Sequence, residues 1–101
     1  MPEPSWGFSN RWLTACTLDR AQTGIENRDL LQRLADEMIE ARPIWKPLHR
    51  QPVFAGCTYY SHDNGSVSDQ LYETGICLPS GSNMTDDDIA RVTDKLKALL
   101  G

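Results

Sequence analysis

Arg42-Pro43-Ile44-Trp45-Lys46-Pro47-Leu48-His49-Arg50-Gln51-Pro52-Val53-Phe54 separates a helix-bearing half of the chain from a second half that ends in another helix. Each proline fixes its own φ and pushes the residue before it into extended space, so Arg42, Lys46 and Gln51 are expected outside helices. Along an extended path, side chains two residues apart share a face. His49 and Gln51 then point one way, with Leu48 and Arg50 on the other. A rigid segment that presents Trp45, Lys46, His49 and Gln51 reads as the lip of a site. Arg42, Lys46 and Arg50 have no acidic neighbour within the stretch, which makes a local patch suited to an anion.

Upstream, residues 1–9 hold two prolines, a glycine and two serines and read as an irregular lead-in. Trp12 to Leu18 is rich in β-formers without a breaker, which predicts a largely buried strand, and Asp19 to Thr23 a turn. Asn27 is a good N-cap for a helix to about Ala41, with Leu30, Leu31, Leu34, Met38 and Ile39 on one stripe and Pro43 ending it. Downstream, Gly56 to Tyr60 precedes the polar loop Ser61 to Gly65, whose Asn64-Gly65 pair signals a turn. Ser66 or Ser68 caps a short helix through Asp69 to Glu73, Gly75 closes it as a C′ residue, and Ile76 to Leu78 makes a short strand. Thr85 followed by Asp86, Asp87 and Asp88 opens a final helix, where the helix dipole favours carboxylates. Ile89, Val92, Leu96, Leu99 and Leu100 form its buried stripe. The order β-α-β-α-β-α predicts one small domain over residues 10–101, an α+β two-layer sandwich with a short sheet and about three helices.

Net charge is −4 and no basic cluster covers a face, which argues against nucleic acid as a partner. No apolar run approaches the ~18 residues of a membrane span and no leader pattern is present, so a cytoplasmic protein is expected. Cys16, Cys57 and Cys77 lack CxxC spacing, which predicts reduced thiols behaving as small buried apolar groups rather than disulfides. Cys57, His62, Asp63 and Cys77 match no common zinc spacing, and no metal site is expected. Asp63-Asn64-Gly65 is a turn that lacks the downstream Glu of a calcium loop. Ser80-Gly81-Ser82-Asn83 could form an anion-binding nest, but a loop capping the last helix is the simpler reading, since the aspartates beside it would repel phosphate. No catalytic residue is assigned.

Arg42-Pro43-x-Trp45-Lys46-Pro47-x-His49-x-Gln51-Pro52-x-Phe54, with Leu71-Tyr72-x-x-Gly75-x-Cys77-Leu78-Pro79-Ser80-Gly81-Ser82, resembles the C-terminal small domain of DegT/DnrJ-type pyridoxal-phosphate-dependent sugar aminotransferases. Asn10 to Thr14 and the helix after it extend the resemblance over almost the whole chain. The resemblance implies the small domain of a fold-type I enzyme that passes an amino group, usually from glutamate, to a nucleotide-linked keto sugar. It implies a dimeric parent and a partner large domain that holds pyridoxal phosphate through a Schiff-base lysine, an Asp and a phosphate cup. That apparatus has no counterpart here, and Lys46 sits where the family places a non-catalytic lysine. His49 and Gln51 are the residues it implies for cofactor or substrate contact, with Trp45 and Lys46 weaker; Trp45 otherwise reads as packing. Arg50 departs from the apolar residue common between the His and the Gln. No cofactor is expected on this chain alone. The rival reading is a stand-alone interaction module that binds another protein or itself, and both readings predict an exposed apolar patch near Trp6, Trp12 and Trp45.

Overall fold

A computed structural model of the chain describes residues 3–62 and 65–101. The elements run β1 (Thr14–Thr17), α1 (Arg20–Thr23), α2 (Asn27–Asp36), β2 (Arg42–Pro43), α3 (Val67–Thr74), β3 (Gly75–Leu78) and α4 (Asp86–Leu100), with 3₁₀ turns at Leu48–Arg50 and Pro52–Phe54. The fold is α+β: one three-stranded sheet and, among the described residues, four α-helices. The last-formed strand in the chain lies in the middle of the sheet, in the order β1-β3-β2, antiparallel to both neighbours. Thr14 to Thr17 pair with Leu78 to Gly75, and Arg42 and Pro43 pair with Cys77 and Ile76. Met1, Pro2, Asp63 and Asn64 lie outside the described residues, and with them the Asn-Gly turn reading. Residues 3–9 contain no helix or strand.

The core gathers where α2 and α4 meet β3. Leu30, Leu34 and Ile76 are fully enclosed; Leu18, Ile25 and Ile39 join them, and Leu78, Val92, Leu96, Leu99 and Leu100 pack against the cluster. α4 begins as expected: Thr85 accepts from the Asp88 amide, and the Asp88 carboxylate accepts from the Thr85 amide, so two otherwise unpaired donors are met in one reciprocal cap. α4 is also tied to the C-terminal end of α2. Arg91 donates to the Glu37 carbonyl and Lys95 pairs with the Glu37 carboxylate at 2.8 Å. Cations there suit the negative end of the helix dipole.

Four expectations are corrected. α2 stops at Asp36 rather than near Ala41, because Met38 takes φ +58°. Its amide then donates to the Ala35 carbonyl and the Ile39 amide to the Leu34 carbonyl, the two bonds of a Schellman stop, which turns Ile39 back into the core beside Leu34. The cap of α2 is Glu26, and Asn27, read as the cap, is instead the first helical residue and buried. Asp19 to Thr23 is a helical turn, not a plain turn, since the Asp19 carboxylate accepts from the Ala21 amide. β1 is exposed along all four residues, because it is an edge strand that packs chiefly on β3 and is not covered by the helix layer. The second strand of the expected order is Arg42–Pro43, inside the proline-bounded segment.

Gly75 closes α3 as expected, but for a different reason. Its φ is −92°, so no left-handed conformation is required. A Cβ at this position would collide with the Ile44 side chain and the Leu71 carbonyl, so the absence of a side chain is what allows α3 to run straight into β3. Asn27 closes the same junction from the other side: its Nδ2 donates to the Tyr72 carbonyl at 3.1 Å and the Gly75 carbonyl at 3.3 Å.

The molecule is loosely gathered for its size. It exposes 8152 Å2, about 40% more than a compact chain of its 11.4 kDa presents. Its radius of gyration is 16.0 Å, against about 13 Å for a compact domain of this length. Trp6, Phe8, Trp12 and Trp45 all stand in solvent.

Two substitutions test this account of the fold by urea denaturation. Asn27→Ala should cost about 1–3 kcal/mol, because the part-buried Tyr72 carbonyl loses a donor and the buried Gly75 carbonyl keeps only the longer bond from the Ile44 amide; a neutral result would remove Asn27 from the junction. Met38→Gly should stabilise by about 1 kcal/mol, since the side chain is exposed and the left-handed conformation becomes free of strain.

Candidate functional site

The prolines of the 42–54 segment lock a path that is not uniformly extended. Pro47 and Pro52 each start a 3₁₀ turn, with Arg50 N–H bonded to the Pro47 carbonyl and Ala55 N–H to the Pro52 carbonyl. This changes which residues share a face. His49 and Arg50, expected on opposite sides, both reach α3, whereas Gln51 folds back and donates from Nε2 to the Lys46 carbonyl at 3.2 Å. Gln51 braces the segment.

His49 is held on two sides. Its Nε2 lies 2.8 Å from Oδ2 of Asp69, and its ring stacks on Tyr59 with centroids 3.9 Å apart and 25° between planes. Tyr59 is itself fixed by its hydroxyl, 2.9 Å from the Ser66 Oγ, and that oxygen also caps α3 by accepting from the Asp69 amide. Arg50 completes the cluster: it pairs with Asp69 at 3.4 Å and Glu73 at 3.1 Å while its guanidinium lies over the Tyr72 ring. The Ser66 hydroxyl first, then the His49 ring and Arg50, hold the Asp69 carboxyl below its usual range against an opposing push from partial burial. Sequence reasoning missed Asp69, Glu73 and Tyr59. The available signal was Asp69 at the third position of a Ser-capped helix, where a carboxylate is common for local reasons.

Trp45 and Lys46 are placed elsewhere. They line an open groove of about 1160 Å3 together with Ile44, Tyr72, Met84 and Arg91, and neither His49 nor Gln51 borders it. Trp45 is exposed rather than packed into the core, and its ring meets Trp12 at 5.9 Å, tilted by 36°. The expected anion patch is largely neutralised, since Arg42 pairs with Glu40 and Arg50 with α3. Ser80 is a tie rather than part of a nest: its hydroxyl accepts from the Thr14 amide and donates to the Leu78 carbonyl, each at 2.8 Å. The thiols divide, with Cys77 buried and Cys16 and Cys57 exposed. Among the described residues no group of three His, Cys, Asp or Glu side chains could hold a metal ion, and no helix is long and apolar enough to cross a membrane.

The family model of the DegT/DnrJ/EryC1/StrS aminotransferases matches residues 2–97. The chain belongs to that family. It is 58% identical over 97 residues, 95% of its length, to "Putative pyridoxal phosphate-dependent aminotransferase EpsN" of Bacillus subtilis (strain 168). It is 26% identical over 89 residues to GDP-perosamine synthase of Escherichia coli O157:H7. Among solved structures, that of DesI in the presence of its TDP-sugar product superposes with a TM-score of 0.78 at 27% identity, covering 91% of this chain and 23% of that one. The chain spans about a quarter of the length of the curated relatives it matches.

The Asp69 geometry fixes a pH dependence. A carboxyl depressed in the folded state stabilises the fold above the unfolded value, near 3.9, and this contribution is lost as pH falls through the folded value. Asp69→Asn should therefore flatten the acid limb of stability below about pH 4. Thermal unfolding midpoints across that range check this; an unchanged acid limb would show that Asp69 gains nothing from its partners.

Proposed function

We propose that this chain serves as the C-terminal small domain of a pyridoxal-phosphate-dependent sugar aminotransferase and forms one wall of its active-site cleft. The observation that carries this reading is the uncovered face of the Trp12–Trp45 pair, with Trp6 and Phe8 also in solvent, in a family member that spans a quarter of the length of its relatives. Its surplus surface, of the order of 2,000 Å2, matches what obligate contacts bury. A large domain packed on that face would cover edge strand β1 and the Trp12–Trp45 pair. Fold-type I architecture and a nucleotide-linked sugar substrate come into the reading with the parent enzyme, as the names of GDP-perosamine synthase and of DesI with its TDP-sugar product suggest.

Pyridoxal phosphate would be bound by the parent's other domain. Among the described residues a cradle for it does not fit: Arg42 and Arg50 are committed to carboxylates, and Asp86, Asp87 and Asp88 crowd the start of α4. Lys46 is exposed and its carbonyl braces Gln51, which suits the non-catalytic place given to it by resemblance. No chemical step is assigned to this chain alone. His49 remains its best candidate for contact with substrate or cofactor, because it is a titratable side chain fixed on two sides on a rigid segment.

The same uncovered face would also suit a second copy, the self-association reading. The two are separated by grafting this chain into EpsN in place of its matching quarter and comparing Trp45→Ala in the graft and in the isolated chain. The isolated chain should lose about 1 kcal/mol, the worth of one aromatic pair. The graft should lose about 3–5 kcal/mol, the cost of emptying a buried aromatic site. Equal losses in both, with the isolated chain dimeric by light scattering, would favour self-association and contradict the proposal.

A further inference from the structure

We propose that Asp69 is a positioning residue for His49: with Tyr59 it fixes the imidazole as the Nε2–H tautomer, so that Nδ1 is the ring atom left to accept a hydrogen bond. The proposal rests on the reading of His49 as a cleft residue. A carboxylate can only accept at Nε2, so the 2.8 Å contact with Asp69 Oδ2 requires the proton on that nitrogen in neutral histidine. The stack on Tyr59 holds the plane of the ring, and within that plane the Asp69 contact selects the Nε2 edge to face α3. Among the described residues Nδ1 meets no hydrogen-bond partner.

The surroundings narrow what this nitrogen would accept from. Asp69 and Glu73 place two carboxylates on the neighbouring helix face against the single guanidinium of Arg50, so with a neutral imidazole the cluster is net negative. A phosphate or carboxylate would be repelled, and it has no proton to give to Nδ1. The group that fits is a neutral donor, a sugar hydroxyl in the substrate class of the proposed parent. The brace is also well supported. Asp69 is the third residue of α3, and Ser66 both caps that helix and anchors Tyr59, so a single turn of helix fixes the acceptor and the ring stacked on His49.

Nitrogen-detected imidazole spectra at alkaline pH, above the usual imidazole range, read the tautomer directly. The chain has two histidines, so a His62→Gln background leaves His49 as the sole ring signal. The expected spectrum shows Nε2 protonated and Nδ1 bare, and Asp69→Ala should convert it to a tautomer mixture while the backbone amide spectrum stays folded. A spectrum dominated by Nδ1–H, or a tautomer ratio unmoved by Asp69→Ala, would overturn the proposal. The second readout is a double-mutant cycle in the EpsN graft. If Asp69 acts through His49, the Asp69→Asn, His49→Ala double variant loses no more amino-transfer activity than His49→Ala alone; additive losses would mean that Asp69 acts independently. An inactive graft whose isolated chain still shows the Nε2–H tautomer would contradict the aminotransferase reading and leave the positioning of His49 standing.

Discussion

The fold depends on the junction at which α3 becomes β3 with no residue between them. Thr74 ends the helix and Gly75 begins the strand, and the strand then pairs on both edges. Only a residue without Cβ fits there, because Ile44 and the Leu71 carbonyl occupy the space a side chain would need. The Gly75 carbonyl accepts from Asn27 and from the Ile44 amide, so α2, the β2 region and β3 meet at one peptide. One residue on, Ile76 enters the core. Buried carbonyls with donors in place cost little, but the same groups left unpaired would each cost a kilocalorie or more.

That junction also positions the side chains that surround His49. Since α3 is rigidly continuous with the central strand, Asp69 and Glu73 stand at fixed places relative to the sheet. The proline-bounded turns bring His49 and Arg50 to them. His49 lies 20 residues from Asp69 in sequence, so their contact needs both the proline-bounded turns and α3 in place. The groove beside Trp45 is lined instead by β2, the end of β3 and the start of α4, and it shares Tyr72 with the cluster.

Local signals in the sequence were legible where their cause is local. The Thr85 cap with its three aspartates, the Ser66 cap and the strand after Gly75 all follow from neighbouring residues, and the paired motifs around His49 and Cys77 carried the family. What was not legible depended on tertiary choices. No glycine marks the end of α2, because Met38 adopts the left-handed conformation itself so that Ile39 can bury. Trp12 to Leu18 reads as a buried strand on composition, yet only Leu18 is enclosed, since nothing among the described residues covers the β1 edge. Alternation along an extended chain put His49 and Gln51 together, and the 3₁₀ turns separated them. Asp69 looked like an ordinary first-turn acid. Its role appears only when the segment twenty residues earlier folds against it.

An uncovered aromatic face on a chain with a small core is a demand for a second surface. We propose that the rest of an aminotransferase supplies it. Residue-resolved oxidative footprinting of the isolated chain and of the EpsN graft tests it most directly. Trp12 and Trp45 should be readily modified in the isolated chain and protected in the graft, while the exposed Tyr60 serves as the internal comparison. Equal modification of Trp12 and Trp45 in a folded graft would contradict the account.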